Sequence, residues 1–470
     1  MSAADGLAFT PATELAALIR ARKLSPVELT KAVLERIERL NPALNAFCTL
    51  TPEASLAAAR AAEQAVTSGA ALGPLHGLPY SIKDLAVTRG IKTMMGSHIF
   101  ASRVPDTDAP YVRRLREAGG IFIGKTTSPE FGWKALGDSP LTGITRNPWN
   151  PEVTTGGSSA GAGAAAAAGL GPLHQGSDGA GSIRIPAAFC GIVGVKATYG
   201  RVPLWPVSNN DYATHAGPMT RTVADAALML QVMAGPDPWD ITSLESPPAD
   251  YIAALTRGVK GLRVAFSPNL DTLRVDPGVA VLIAAAAKAL ESAGAAVEEV
   301  KCGFADTRDM IRLVWGAHYI GNYGQYLDEW RERMDPGLVA CMEEAKRWTA
   351  QEYVAMRGRR IGFWDSVRPL FERYDLLLTP TVSVAPFGVG KLNPDGWPQH
   401  AWDWFPWASF SYPFNFTGQP AVTVPAGLTP AGLPVGLQIV GRRFAETTVL
   451  QAAAAFERAQ PWAAQRPRIS

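Results

Sequence analysis

The sequence predicts an α/β fold in which helices pack on a central β-sheet. Residues 108–120 have the pattern of a helix, and residues 121–124 that of a strand directly after it. Residues 261–266 and 296–300 are predicted as strands on either side of a helix over 277–293, which is a β-α-β unit. A chain of 470 residues is long enough to bury the large core that such a fold requires.

Residues 1–70 are predicted to form a helical segment. Thr10-Pro11 indicates one helix start, because a polar residue followed by proline is typical of a first turn. Ser25-Pro26-Val27-Glu28 matches a capping box and begins a second helix, which Asn41-Pro42 is expected to end. A third helix is expected over residues 52–67.

The rest of the chain alternates between strands and helices. Residues 80–82 are predicted as a strand whose apolar flanks carry Lys83 into the interior. Residues 151–155 are predicted to be a poor strand, and residues 306–375 are expected to be mainly helical. Further expected elements are a loop over 126–133, a helix edge and a strand within 189–198, a helix over 222–233, a loop over 236–248 and strands over 375–379, 421–424 and 435–440, the last two closing the sheet.

The composition argues against several classes of partner. Charged residues make up 18% of the chain and the net charge is +2, so there is no electrostatic basis for binding nucleic acid. No apolar run has the length of a membrane span, and the N-terminus lacks the features of a secretory signal, which together predict a cytoplasmic protein. The four cysteines are scattered and predict free thiols rather than zinc ligands or disulfides.

The stretch Gly156–Arg184 contains two Gly/Ser patches joined by an Ala-rich run. Ser158 lies in the first patch and Ser182 in the second. This composition is common in flexible linkers, but the apolar residues that follow directly, over 183–195, indicate a buried segment instead. Serine hydroxyls between glycines can lie where backbone N–H groups also point into a cavity, which is the chemistry of a serine nucleophile beside an oxyanion hole.

Two common motifs also occur in this stretch. Gly157–Gly161 matches the G-x-S-x-G nucleophile elbow, which would make Ser159 the nucleophile. Residues 161–166 match the G-x-G-x-x-A fingerprint of dinucleotide-binding proteins. Both motifs need a strand directly before them, where a poor strand is predicted, and the fingerprint also needs an acidic residue about 20 positions further on. Asp178 comes somewhat early for that role, so both matches are weak.

Three longer motifs are more specific: GLPYSIKD over 77–84, GGSS over 156–159 and DGAGSIRIP over 178–186. In order and spacing they resemble the motifs of the amidase signature family of Ser-cisSer-Lys hydrolases. Weaker similarity covers nearly the whole chain, including GLPVGLQ over 432–438. Ala180 stands where this family usually has a second glycine, and its methyl group is expected to narrow the site while the N–H still points inward.

The resemblance implies a central mixed β-sheet covered by helices on both faces, in one amidase-like domain. The expected parts are an N-terminal helical segment at 1–70, a signature core at 71–235 and, at 236–470, the remainder of the sheet with helical and aromatic-loop insertions. The resemblance implies neither a metal nor a cofactor. It leaves the oligomeric state open, with a homodimer as one option.

The resemblance also implies a catalytic mechanism. Lys83, kept neutral by burial, would act as the base, since none of the six histidines has a motif context. Ser158 would pass a proton from Ser182 to Lys83, and Ser182 would attack the carbonyl and form an acyl-enzyme. The resemblance also implies a cis peptide bond between Gly157 and Ser158. The oxyanion is expected to be held by N–H groups of Gly179, Ala180, Gly181 and Ser182, and the site to be supported by Ser159, Asp178 and Arg184.

Aromatic residues predict the substrate class. The segment 384–416 is rich in tryptophan and is predicted to form a wall or lid of the substrate pocket. The other expected substrate contacts are Phe131, Gly132, Trp133, Trp205 and Tyr212. These rings favour a mostly apolar or aryl amide, with esters and carbamates also open. The alternatives are a glutaminase-type subunit of an amidotransferase, which needs partner chains, and a dinucleotide-binding protein.

Overall fold

The computed structural model describes residues 6–208 and 212–469. Its strands are β1 (Phe47–Leu50), β2 (Pro79–Lys83), β3 (Ile121–Thr126), β4 (Asp138–Ser139), β5 (Gly143–Ile144), β6 (Arg146–Asn147), β7 (Asn150–Thr154), β8 (Leu173–Asp178), β9 (Val193–Lys196), β10 (His215–Thr220), β11 (Arg263–Phe266), β12 (Ala296–Glu299), β13 (Leu376–Pro380), β14 (Ala421–Leu428) and β15 (Pro434–Gly441).

The helices alternate with these strands. They are α1 (Ala12–Arg20), α2 (Pro26–Leu44), α3 (Pro52–Ser68), α4 (Pro110–Glu117), α5 (Ala160–Ala168), α6 (Arg184–Cys190), α7 (Val223–Met233), α8 (Tyr251–Ala254), α9 (Pro277–Ser292), α10 (Arg308–Tyr323), α11 (Leu327–Trp330), α12 (Pro336–Ala345), α13 (Ala350–Arg373), α14 (Pro413–Phe416) and α15 (Glu446–Ala459). None of the helices within the described residues is both long and apolar enough to cross a bilayer.

Eleven of the strands form one mixed sheet in the order β1-β3-β2-β8-β10-β9-β14-β15-β13-β11-β12. Strand β2 is parallel to both of its neighbours, β3 and β8. The predicted β-α-β unit is present, with β11 and β12 paired in parallel on either side of α9. The α/β fold and the mixed sheet are therefore confirmed.

Helices cover both faces of this sheet. Alternate residues of one strand show this, because successive side chains of a strand point to opposite faces. Leu376 and Leu378 of β13 pack in a cluster with helices α1–α4, α7, α9 and α15, while Leu377 packs in a second cluster with α10, α12 and α13. The two-sided covering that the resemblance implied is confirmed.

Several local expectations are wrong. Helix α2 does not end at Asn41-Pro42 but continues to Leu44, where Asn45 terminates it in the left-handed conformation with φ +50°. Asn41 instead caps the next turn, since its Oδ1 accepts hydrogen bonds from the N–H groups of Ala46 and Phe47. A strand does occur just before residue 155, as β7, but it lies outside the eleven-stranded sheet: it pairs with β6 in a two-stranded ribbon and forms one β-bridge from Val153 to Gly388. Strands β14 and β15 lie inside the sheet rather than closing it.

Candidate active site

The candidate site lies where parallel strands β2 and β8 end. Tyr80 pairs with Leu173 and Ile82 with Gln175, so the two strands run in register towards the same edge of the sheet. Lys83 is the last residue of β2. Asp178 is the last residue of β8. The carboxyl ends of adjacent strands are a common place for ligand sites in α/β proteins.

Lys83 is fully buried and contacts two serine hydroxyls. Its Nζ lies 2.7 Å from Ser158 Oγ and 3.1 Å from Ser177 Oγ. Burial lowers the pKa of Lys83 from 10.5 to about 7, although the negative charge of Asp178 partly opposes this shift. The amine is therefore largely neutral above pH 7 and can accept a proton from a hydroxyl in contact with it.

Ser158 stands two residues before helix α5, and the Gly157–Ser158 peptide is cis. Gly132 closes over Ser158 from the other side. Its φ is +75°, and a methyl group in place of its hydrogen would lie 3.1 Å from Ser158 Oγ and 2.8 Å from a methyl carbon of Leu85. A side chain at position 132 would therefore press on the Ser158 hydroxyl.

Ser182 lies in the turn between β8 and α6, and like Ser158 it lines the same cavity as Lys83. The turn carries the four backbone N–H groups that were predicted to bind the oxyanion. Those of Gly179, Ala180 and Ser182 have no hydrogen-bond acceptor within the part of the chain that the structure describes. The N–H of Gly181 differs from the prediction, because it donates to Asp178 Oδ1 at 2.7 Å. Three of the four predicted donors are thus without an acceptor among the described residues.

Asp178 and Arg184 form a fully buried ion pair behind this turn. Arg184 Nε and Nη2 donate to the two carboxylate oxygens, each at 2.9 Å. Nη1 donates to the carbonyl of Ser411 and to Gln438 Oε1, and Nη2 also donates to Asn415 Oδ1. Burial alone would raise the pKa of Asp178, but the positive charge and hydrogen bonds of Arg184 hold that pKa well below its usual range. The pair stays ionised and fixes both ends of the turn.

Ser159 is engaged by the backbone. Its Oγ donates to the carbonyl of Ser177 and accepts from the N–H of the same residue, both at 3.1 Å, while its own N–H donates to the carbonyl of Ser182. These bonds tie the start of helix α5 to β8 and to the Ser182 turn. The hydroxyl does not line the cavity, which disfavours Ser159 as the nucleophile of an elbow.

Gly161, the first glycine of the dinucleotide fingerprint match, allows helix α5 to pack closely against neighbouring backbone. Gly161 lies in helix α5, and its N–H donates to the carbonyl of Thr127. A methyl group at this position would lie 2.2 Å from the carbonyl oxygen of Ala46. The helix therefore has no space in front of Gly161 for a pyrophosphate, which a dinucleotide site requires.

The cavity in front of the serines has a volume of about 510 Å³, and seven Phe, Tyr and Trp residues are among those that line it. Three predicted contacts, Phe131, Gly132 and Trp205, line it. The ring of Phe131 stacks on Tyr323 with centroids 3.8 Å apart. Helix α10, which no motif in the sequence singled out, supplies the lining residues Trp315, His318, Tyr319, Asn322 and Tyr323. Their spacing of three or four residues is that of one helix face and is the signal that could have identified them.

Two predicted contacts do not line the cavity. Trp133 is 1% exposed and packs in the core, where its carbonyl accepts hydrogen bonds from the indole N–H groups of Trp315 and Trp404. Tyr212 is 45% exposed and rests edge-on against Tyr199. Neither residue lines the cavity in front of Ser182, so both predicted contacts are wrong.

The segment 384–416 does not line the cavity in front of Ser182 either. Its tryptophans pack against one another and against α10, and Trp404 and Trp407 are fully buried. The segment instead supports the serine turn from behind. Ser411 Oγ donates to the carbonyl of Ala180 at 2.7 Å, and a methyl group on Gly181 would lie 2.4 Å from Ser411 Oγ. The prediction of a wall or lid is wrong because these rings fill the core beneath the site.

Among residues 6–208 and 212–469, no cluster of three or more His, Cys, Asp or Glu side chains is arranged to hold a metal ion. His318 is the histidine on the cavity wall, and burial lowers its pKa to about 4. It is therefore neutral at physiological pH. His174 contacts Ser81 Oγ at 2.7 Å within the sheet, away from the cavity lining.

Known proteins resemble this chain over nearly its full length. A model of the amidase family matches residues 28–450. An acylamidase from Rhodococcus erythropolis is 40% identical over 99% of this chain and 98% of that protein. A glutamyl-tRNA(Gln) amidotransferase subunit from Geobacter metallireducens is 37% identical over 97% of this chain and 98% of that protein.

A solved structure shares the fold. The crystal structure of a bacterial aryl acylamidase of the amidase signature family superposes with a TM-score of 0.91 at 30% sequence identity, covering 98% of this chain and 99% of that one. The sequence matches and the shared fold together show that the chain belongs to the amidase signature family of amide hydrolases.

Proposed function

We propose that this chain is an amidase that cleaves the C–N bond of apolar or aryl amides through an acyl-enzyme on Ser182. The observation that carries the proposal is the contact between Lys83 and Ser158. A lysine with a pKa of about 7 lies 2.7 Å from a serine hydroxyl, on the wall of a cavity that Ser182 also lines. A neutral amine in that position can replace the histidine of other serine hydrolases.

The proton relay runs from Ser182 through Ser158 to Lys83. Ser182 Oγ forms a bond to the carbonyl carbon of the amide while its proton passes to Ser158 Oγ, whose own proton passes to Lys83 Nζ. When the C–N bond breaks, Ser158 returns a proton to the leaving nitrogen and Lys83 reprotonates Ser158. Water then hydrolyses the ester by the same relay and regenerates Ser182.

The N–H groups of Gly179, Ala180 and Ser182 are proposed to bind the oxyanion of the tetrahedral intermediate. They are free of other acceptors within the described residues, and the Asp178–Arg184 pair holds the turn that carries them. Preorganised donors of this kind stabilise charge that develops only in the transition state. The N–H of Gly181 is engaged by Asp178 and is left out of this proposal.

The apolar and aryl preference is supported by the cavity wall and by the relatives. Phe131, Trp205, Tyr319 and Tyr323 are among the residues that line the space in front of the serines. Each ring buried against a ligand contributes on the order of 1 kcal/mol, so several of them favour an aryl group. Two similar proteins are named acylamidase and aryl acylamidase.

A second candidate is a glutaminase-type component of an amidotransferase, which the 37% identity to the glutamyl-tRNA(Gln) amidotransferase subunit supports. Such a component would act on glutamine and would need partner chains. An amidase acting alone would instead be active as the isolated chain.

The test is a substrate panel on the purified chain. It compares anilides and aryl carbamates with aryl esters, short aliphatic amides and glutamine, with Ser182→Ala as the blank. We expect higher kcat/KM for the aryl amides than for glutamine. A preference for glutamine over every aryl amide, or activity that appears only when partner chains are added, would favour the amidotransferase component.

A further inference from the structure

The cavity wall is unbalanced in charge. Among the described residues that line it there is no aspartate and no glutamate. Its basic residues are Lys83, Arg103 and His318. Because burial keeps His318 neutral and makes Lys83 largely neutral above pH 7, the remaining positive charge on the wall is that of Arg103.

Arg103 has no acidic partner in the described part of the chain. Its Nη1 donates to Met95 Sδ at 3.3 Å, and its guanidinium carbon lies 5.4 Å from the centre of the Phe100 ring. A thioether is a weak acceptor, and a guanidinium has five N–H donors, so most of its hydrogen-bonding capacity is unused by these contacts. Its backbone is fixed, since the N–H donates to the carbonyl of Phe100 and the carbonyl accepts from Thr93.

A series of rings connects Arg103 to the serines. Phe100 packs edge-on against Phe131 with centroids 5.8 Å apart, and the residue after Phe131 is Gly132, which closes over Ser158. A substrate whose scissile amide lies at Ser182 and whose aryl ring lies along these side chains would extend towards the guanidinium. The far end of that substrate would then lie near the positively charged guanidinium of Arg103, whose forked N–H donors suit a carboxylate.

We propose that Arg103 is a specificity-determining residue that binds an anionic group, such as a carboxylate, at the end of the substrate remote from the scissile amide. This inference rests on the proposed amidase function and deepens it, because it narrows the substrate class to aryl amides that carry a negative charge. A cationic substituent at the same position is disfavoured.

Binding can be measured apart from catalysis in the Ser182→Ala background. Isothermal titration calorimetry compares 4-acetamidobenzoate with its neutral analogue 4-acetamidobenzamide, and 4-carbamoylbenzoate with terephthalamide. The two pairs place the carboxylate on the leaving-group side and on the acyl side of the amide. We expect the anion to bind about fivefold more tightly than its neutral analogue in at least one pair at low salt, and less so at high salt, because the charge pair is only partly buried.

Variants of Arg103 test whether this residue causes the tighter binding of the anion. Arg103→Met keeps the length and apolar stem of the side chain and is expected to abolish the preference, whereas Arg103→Lys keeps part of it because the charge remains but the fork is lost. Arg89→Met is the matched control, because it removes the same charge from the same part of the chain, residues 84–105. The Arg89 side chain is exposed and does not line the cavity. Melting temperatures establish that each variant is folded.

The outcomes separate this inference from the proposed function. Equal binding of anion and neutral analogue in both pairs, or a preference that survives in Arg103→Met, would overturn the role of Arg103. Hydrolysis of the neutral amides by the wild-type chain would still support the amidase. An Arg103-dependent preference without hydrolysis of any amide would support the anion site and overturn the amidase.

Discussion

The pH dependence of activity follows from the state of Lys83. The proposed relay needs the neutral amine, and the folded pKa of about 7 lies well below the ordinary 10.5. At pH 6 only about one-tenth of the enzyme carries neutral Lys83, and each further unit of acidity lowers that share about tenfold. We therefore expect kcat/KM for an anilide to be constant above about pH 8 and to fall on the acid side with a midpoint near 7 and a slope of one.

Glu130 provides the control for this profile. Burial raises its pKa to about 7, so it titrates in the same range as Lys83. It accepts hydrogen bonds from Ser97 Oγ and the N–H of Asp335, and it directly precedes Phe131 on the cavity wall. In Glu130→Gln the acid limb should keep its midpoint. A profile that stays flat to pH 5, a midpoint near 10.5, or a limb that disappears in Glu130→Gln would refute the role of Lys83 as the base.

Three substitutions extend the account. Lys83→Met should abolish amide turnover yet raise the free energy of unfolding by about 2–4 kcal/mol at pH 6. The reason is that a buried lysine with a depressed pKa destabilises the folded state fully below pH 7 and no longer above pH 10.5. Urea unfolding at pH 6 and pH 10 should therefore show the larger gain at pH 6. Arg184→Met leaves the buried carboxylate of Asp178 without its cation and should lower the free energy of unfolding by about 3–5 kcal/mol. An unchanged midpoint of urea unfolding would contradict this expectation. Gly132→Ala should lower kcat/KM at least about tenfold by crowding Ser158, whereas Gly69→Ala, which has a similar φ of +76° but open space around it, should change stability alone.

The position of Lys83 is the part of the site that local sequence indicated best. Its apolar neighbours in β2 predict a buried strand, and the structure carries its amine to Ser158. The same reasoning could not foresee the state of the Gly181 N–H. That group is taken by Asp178, a contact that depends on the turn geometry and on the ion pair with Arg184 rather than on any local pattern.

The cavity wall was harder to predict because aromatic residues suit a core and a pocket equally well. Trp404 and Trp407 lie in a segment rich in aromatic residues, as expected of a pocket wall, but they pack beneath the site. Helix α10 supplies part of the wall instead. Which helix reaches the carboxyl edge of β2 and β8 is decided by tertiary packing. Arg103 illustrates the same limit, since its lack of an acidic partner among the described residues becomes visible only when the neighbouring elements are placed around it.

The proposed mechanism requires Ser182 to be the nucleophile. The most direct measurement is peptide mass spectrometry after treatment of the chain with a fluorophosphonate, which bonds covalently to an activated serine. We expect a single adduct on Ser182 that is absent in Ser182→Ala and forms much more slowly in Lys83→Met. An adduct on Ser159, or labelling of Ser182 at an unchanged rate in Lys83→Met, would contradict it.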